Sequence, residues 1–234
     1  MKLLILLWKL FCYPVGTAVI ALAIYEFWFF AQILYWVENN PATTQVMDAR
    51  LEALQQKKAR AVLDRTWVAY ERISIHLKRA VIIAEDAKFL DHEGFDWEGI
   101  QRAMDKNQRV GKFVAGGSTI TQQLAKNLLL SGERSLLRKS QEAIFTAMLE
   151  ATMNKRRIFE IYLNVAEWGE NIFGAEAAAR HYFGVSAASL EPDQAARLAA
   201  MLPRPRYYDR NRSSTYLTSY SESILGQMHA AQVP

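Results

Sequence analysis

The chain has 234 residues, 51% hydrophobic and 22% charged, which is ordinary for a folded protein and enough to bury a sizeable core. Its 28 Lys and Arg against 24 Asp and Glu give a net charge of +4. That suits an anionic partner such as phosphate, pyrophosphate or a lipid head group, and is too weak to mark a nucleic-acid binder. The single cysteine, Cys12, excludes an intramolecular disulfide and reads as a small buried hydrophobe.

Lys2 and Lys9 precede a stretch, Leu10 to Val37, whose only charge is Glu26. A membrane span needs about 20 mostly apolar residues. Leu10 to Tyr25 supplies most of them and Phe27 to Ile33 completes the run. Tyr25, Trp28, Tyr35 and Trp36 crowd its far end as interfacial aromatics do, and the basic residues before it place the N-terminus in the cytoplasm. The run is long and no clean small-x-small cleavage site follows, so an uncleaved anchor is expected over a signal peptide. Asn39, Asn40, Pro41 and Ala42 read as a turn. The expected organisation is a cytoplasmic N-terminus (1–9), a transmembrane anchor (10–36), a linker and lead-in (37–67) and a mainly α domain (68–234).

Helical periodicity dominates that domain. Leu77, Val81, Ile82 and Ala84 to Phe89 form one amphipathic stretch, and Ile120, Leu124 and Leu128 a second at i, i+4, i+8. Leu136 to Met153, Ile158 to Val165 and Ala195 to Leu202 follow, while alternating strand patterns are scarce. Between the first two, residues 105–117 hold Lys106, Arg109, Gly111, Lys112, Gly116 and Gly117 and are expected to form a mobile basic loop. Phe113 and Val114 of that loop are expected to lean toward lipid.

Four short patterns carry chemistry. The first is Glu85-Asp86 at the end of an apolar helix, followed by His92-Glu93-Gly94. A carboxylate at the rim of an apolar wall is poorly solvated, which raises its pKa toward the range of a working base. An ordinary helix end with solvated acids would look the same. His92 lacks a second histidine at ligand spacing, so no zinc site is expected. The second is Gly116-Gly117-Ser118-Thr119, opening a helix that carries Gln122, Gln123 and Lys126. It offers free backbone N–H groups and hydroxyls to an anion, with Ser118 or Thr119 as the cap. It is not a Walker loop, because no lysine stands at the required spacing. The third is Arg138-Lys139-x-x-Glu142, with Arg138 and Glu142 on one helix face. The fourth is Lys155-x-x-Ile158-x-Glu160-x-Tyr162-Leu163-Asn164, a buried stripe with a basic start.

Each pattern alone is weak. In this order they resemble the family 51 glycosyltransferases, the peptidoglycan transglycosylases, whose pattern the four segments match. Ala195 to Tyr208, with Leu202-Pro203-Arg204-Pro205, also looks like the family, so the resemblance covers about residues 68–210. Neither Ser-x-x-Lys nor Lys-Thr-Gly occurs, so the likeness is to monofunctional members without a transpeptidase domain.

The resemblance implies a lysozyme-like helical fold behind a single anchor in the inner membrane of a Gram-negative envelope, with the catalytic domain periplasmic. It implies polymerisation of lipid II, an undecaprenyl-pyrophosphate disaccharide-peptide, into β-1,4 glycan with inversion. Glu85 is then the base and Glu142 the second acid. Ser118, Thr119, Gln122 and Gln123 contact substrate, and Lys126, Arg138, Lys139 and more weakly Arg134 meet the departing pyrophosphate. Asp86, Glu160 and Asn164 support the cleft. No cofactor is required, though Glu142 is a candidate to hold a divalent cation (Mg2+ or Mn2+). The implied partners are lipid II, the growing lipid-linked glycan, membrane lipids and wall-synthesis or division proteins, with no nucleic acid. Two other readings stay open: a lysozyme-like glycan hydrolase and a non-catalytic cell-wall scaffold.

Overall fold

In the computed structural model the chain is mainly helical and divides into two units, Met1–Asn39 and Asn40–Pro234. The structure describes residues 2–112, 116–130 and 135–234, with only the backbone of residues 2–7, 9 and 10.

The first unit is one helix, α1 (Lys2–Glu38). Its 37 residues extend about 55 Å at 1.5 Å per residue, well over the roughly 30 Å of bilayer hydrocarbon. The segment Phe11–Glu38 has a mean hydropathy of 1.7, and among the described residues α1 is the one helix long and apolar enough to cross a membrane. Phe11, Val19, Ile20, Phe27 and Trp28 are exposed around it. Being apolar on all sides, α1 has no water-facing side of the kind a surface helix shows.

The second unit begins with α2 (Gln45–Gln55), whose cap Thr44 accepts from the Met47 N–H at 3.1 Å. Then come β1 (Asp64–Arg65), α3 (Ile75–Glu85), α4 (Trp97–Val110), α5 (Ile120–Leu129), α6 (Leu136–Thr152) and α7 (Lys155–Val165). The hairpin strands β2 (Glu167–Gly169) and β3 (Ile172–Phe173) lead into α8 (Ala175–Phe183), α9 (Pro192–Met201), α10 (Pro205–Arg210) and α11 (Thr215–Gln227). The three strands form one small sheet in the order β1-β3-β2, with β1 parallel and β2 antiparallel to β3.

Two expectations change here. The expected linker over 37–67 belongs to the second unit from Asn40 onward. Arg65 donates to the carbonyls of Pro41 (3.1 Å) and Ala42, Arg157 donates to Asn40 Oδ1 at 3.0 Å, and β1 completes the sheet. The expected loop over 105–117 is helical as far as Val110, because its polar and basic residues form the outer side of α4 while Ala103 is buried. Gly111, at φ 69°, supplies the left-handed residue that stops it. Phe113 and Val114 lie outside the described residues.

The core sits where α9 packs on α3 and α11 while α5 packs on α6 and α7. Ala195, Ala196, Ala199 and Ala200 are fully buried on α9, and residues this small let helix axes approach closely. Leu77 and Val81 of α3, Leu124 of α5, Phe145 of α6 and Phe159 of α7 complete the interior. Asn164 at the end of α7 is also buried. It accepts from the Val68 N–H at 2.9 Å and donates to the carbonyls of Val68 and Glu160, so its polar groups are met.

Candidate active site

Helix α3 ends on an acid. Ser74 caps its start, accepting from the His76 N–H at 3.2 Å, and Leu77, Ala80, Val81 and Ile82 bury its inner side. Of the amphipathic stretch that reaches Phe89, α3 takes in only as far as Glu85, because Asp86 departs from helical geometry at φ −163°. Its carboxylate turns instead onto the start of α5, accepting from the Ile120 N–H at 3.0 Å and contacting His92 Nε2 at 3.0 Å. Negative charge at a helix N-terminus is favourable, so Asp86 joins α3 to α5.

Glu85 is the last residue of α3 and is part-buried. Its Oε2 accepts from Gln123 Nε2 at 2.7 Å, while Oε1 is buried with no hydrogen-bond partner among the described residues. Burial pushes its pKa up, and the Asp86 charge adds to that. The Gln123 hydrogen bond and the positive charge of Lys126 oppose the rise. The amide of Gln123 is itself oriented. The Tyr162 hydroxyl donates to Gln123 Oε1 at 3.1 Å, which leaves Nε2 for Glu85. Burial, and then the charges of Glu85 and Asp86, push the Tyr162 pKa well above the ordinary phenol value, so the hydroxyl remains a donor. Glu85, Gln123 and Tyr162 thus form a chain from α3 through α5 to α7.

The segment before α5 is placed by close packing. A Cβ on Gly117 would lie 2.9 Å from the Ile100 backbone of α4, so only glycine fits there. Ser118 is exposed. Thr119 is the cap: its Oγ1 accepts from the Gln122 N–H at 3.2 Å and donates to the Gly94 carbonyl at 2.7 Å. Gln122 closes the reciprocal bond, its Oε1 accepting from the Thr119 N–H at 3.0 Å. The side chains of Thr119 and Gln122, expected to touch substrate, are both buried in this cap. Gly94 has φ 85°, and a Cβ there would come within 2.7 Å of Thr146 on α6.

Helix α6 carries the second acid. Glu142 is only 4% exposed, and its two oxygens face cations: Lys139 contacts Oε1, and Arg138 lies 3.8 Å from Oε2. Arg138 is largely buried and its Nε lacks a partner among the described residues, whereas Lys139 is half exposed. Arg134 lies outside the described residues.

Two cavities meet along Gly117 and Ser118. One, about 300 Å³, is lined by Glu85, Lys88, Arg102 and Gly116 besides that pair. The other, about 220 Å³, is lined by Met104, Asn107, Gln122 and Lys139 besides the same pair. Glu85 and the lysine held by Glu142 therefore line adjoining cavities that share one segment. The sequence reading missed Lys88 and Arg102, whose place in the Glu85 cavity follows from pairing with Glu98 (2.5 Å) and with Asp96 (3.3 Å). It also missed the role of Tyr162, which pattern alone shows only as a member of a buried stripe.

A divalent cation does not fit Glu142. Both of its oxygens already face cationic side chains, and the described residues include no group of three or more His, Cys, Asp or Glu able to hold a metal. An ion there would have to displace Lys139 and Arg138 and would find a single carboxylate among the described residues.

Comparison with known proteins gives a consistent result. The transglycosylase family profile matches residues 51–229. A biosynthetic peptidoglycan transglycosylase of Methylobacillus flagellatus is 58% identical over 226 residues, covering 97% of this chain and 99% of the relative. Proteins of the same name from Nitrosospira multiformis (54% identical; 97% of each chain) and Dechloromonas aromatica (61% identical; 90% of this chain, 91% of the relative) are similar.

Proposed function

The chain belongs to the transglycosylase family and is a peptidoglycan glycosyltransferase; from that premise we propose that Glu85 is the base that couples two lipid-linked disaccharides, with Lys126, Arg138 and Lys139 receiving the pyrophosphate. The observation that carries this reading is the Glu85 carboxylate. One oxygen is held by Gln123, the other is buried without a hydrogen-bond partner among the described residues, and Glu85 lines a cavity that adjoins the one lined by Lys139.

The acceptor's 4-hydroxyl donates to Glu85 Oε1, the oxygen without a partner. As its proton passes to Glu85, the hydroxyl oxygen bonds to the donor's anomeric carbon. The carbon–oxygen bond to the pyrophosphate breaks, and the bonding pair leaves with the lipid pyrophosphate. One displacement from the face opposite the leaving group inverts the centre. Charge grows on the pyrophosphate as the bond breaks, and cations already in place stabilise it with little reorganisation. Glu142 holds Arg138 and Lys139 in place for that task and takes no proton. Ser118, at the seam of the two cavities, is the substrate-contacting hydroxyl. Thr119 and Gln122 fix the segment, and Gln123 orients the base.

A glycan hydrolase needs a proton donor for a sugar leaving group and has no use for a cationic cluster opposite it. The pairing of Glu142 with Arg138 and Lys139 favours transfer. A non-catalytic scaffold would gain nothing from burying Glu85 Oε1 without a partner. We read α1 as the single membrane span, with a cytoplasmic N-terminus and a periplasmic catalytic unit, which confines enzyme and polyprenyl substrate to one surface and raises their effective concentration. The test is polymerisation of purified lipid-linked disaccharide by full-length protein in detergent. Wild type makes glycan and Glu85→Gln makes none. Polymer from Glu85→Gln, or cleavage of finished glycan by wild type, refutes the assignment.

A further inference from the structure

We infer that the acceptor lies along a track of exposed tyrosines that leads from the Glu85 cavity to a basin of arginines, with its sugar rings on the tyrosines and its anionic groups on the arginines. The inference rests on the transfer reading above.

The track begins beside the base. The Tyr220 hydroxyl of α11 donates to the Ala84 carbonyl at 3.1 Å, one residue before Glu85. From Tyr220 a row of rings runs outward: Tyr216 at 5.9 Å, Tyr208 a further 6.4 Å on and nearly parallel to Tyr216 (8°), then Tyr207 edge-on at 5.2 Å. Tyr208 is buried, whereas Tyr216 is 62% and Tyr207 49% exposed. Both line a cavity of about 650 Å³ with Arg204, Ser214 and Gly116, and Gly116 also lines the Glu85 cavity. The outer rings are held from behind by the inner ones, so presenting them costs little ordering. A pyranose offers a face of C–H groups, which the electron-rich face of an aromatic ring attracts.

The far end is cationic. A cavity of about 680 Å³ shares Arg204 and Tyr207 with the tyrosine cavity and adds Arg50, Arg206 and Arg210. Glu167 is the one acid lining it, and Arg50 (3.1 Å) and Arg206 (3.6 Å) already pair with it. Four guanidinium groups against one carboxylate leave excess positive charge, and Arg204 makes no ion pair among the described residues. Guanidinium forks match both phosphate and carboxylate.

Direction follows from the chemistry. The leaving pyrophosphate belongs with Lys139, whose cavity shares Gly117 and Ser118 with the Glu85 cavity, whereas Gly116 joins the Glu85 cavity to the tyrosines. In-line displacement puts the nucleophile opposite the leaving group, so the Gly116 end, where the track starts, is the acceptor's side. An acceptor with its 4-hydroxyl at Glu85 lays its rings over Tyr216 and Tyr207. Its pyrophosphate or its peptide carboxylates reach the arginines.

The experiment uses full-length protein in detergent with two distinct substrates: a lipid-linked donor whose 4-hydroxyl is blocked, and an unblocked acceptor. KM is measured for each separately. Tyr216→Ser and Arg204→Gln are expected to raise the acceptor KM roughly tenfold with no change in the donor KM, and Tyr216→Phe to retain the wild-type acceptor KM. An acceptor with amidated peptide carboxylates separates the anion's two sources. If the Arg204→Gln effect persists with it, the arginines hold pyrophosphate; if it vanishes, they hold the peptide; either supports the track. A rise in the donor KM instead, or no change in either, overturns it. Failure of wild type to couple the two substrates counts against the transfer reading itself.

Discussion

Replacing Tyr162 by Phe removes one oxygen from a fully buried ring and tests how the base is held. Among the described residues the hydroxyl makes one hydrogen bond, to Gln123 Oε1 at 3.1 Å, and the ring is packed in the core. Its loss leaves a half-buried amide oxygen unpaired, at a cost of about 1–2 kcal/mol, which lowers Tm by about 2–8 °C for a domain of this size. The larger effect is on chemistry. With nothing fixing its orientation, the Gln123 amide turns over part of the time and presents oxygen, not N–H, to the Glu85 carboxylate. A hydrogen bond to a charged acceptor contributes about 1.5–3 kcal/mol, and it holds the Glu85 pKa down against burial. Weakening it raises that pKa further. The proposed base works only when ionised, so kcat/KM on the acid side of the pH profile is expected to fall about tenfold or more, with the rate recovering as pH rises. A polymerisation assay across pH, with Tm followed in parallel, reads both effects. A uniform loss at every pH would mean that Tyr162 supports the fold and does not position the base, and the relay argument would be wrong.

Other consequences follow from the same contacts. Because burial raises the Glu85 pKa, ionising it costs stability as pH rises through the folded-state value. Glu85→Gln in full-length protein is therefore expected to melt higher than wild type at pH 8, with the gap closing below the ordinary glutamate pKa; equal melting at both pH values would contradict this. Asp86→Asn loses the negative charge at the start of α5 and one of the acceptors serving Ile120 and His92, for about 1–3 kcal/mol in denaturant unfolding. Gly94→Ala forces a Cβ into Thr146 at φ 85° and costs more than about 1 kcal/mol; wild-type stability would show that the α6 contact yields easily.

Much of this was legible before the fold was known, for reasons that differ from residue to residue. The apolar helix ending on Glu85 could be read because burial has a period, and the cap at Thr119 because capping chemistry is local in sequence. Contacts between distant segments could not be read. Gln123 and Tyr162 are each ordinary members of amphipathic helices, and only packing of α5 on α7 brings hydroxyl to amide. The stretch 105–110 looked like loop because Lys106 and Arg109 stand beside Gly111, Gly116 and Gly117, yet α4, with Ala103 buried, continues to Val110. The linker was misjudged for a similar reason, since Arg65 and Arg157 reach back to bind it from positions that sequence spacing does not connect.

The two acids of the site show how one residue type serves two ends. Glu142 is buried and Glu85 part-buried, and their surroundings are opposite. Glu142 faces two cations, Arg138 and Lys139, and its charge holds them. Glu85 has one neutral donor and an unmet oxygen, so taking a proton relieves a penalty instead of creating one. A base in a transfer reaction must gain a proton and hold it while charge leaves on the pyrophosphate. The groups that receive that pyrophosphate must keep their charge throughout. The environment of each carboxylate meets one of these needs and fails the other, so exchanging the two roles would require rebuilding both helix ends.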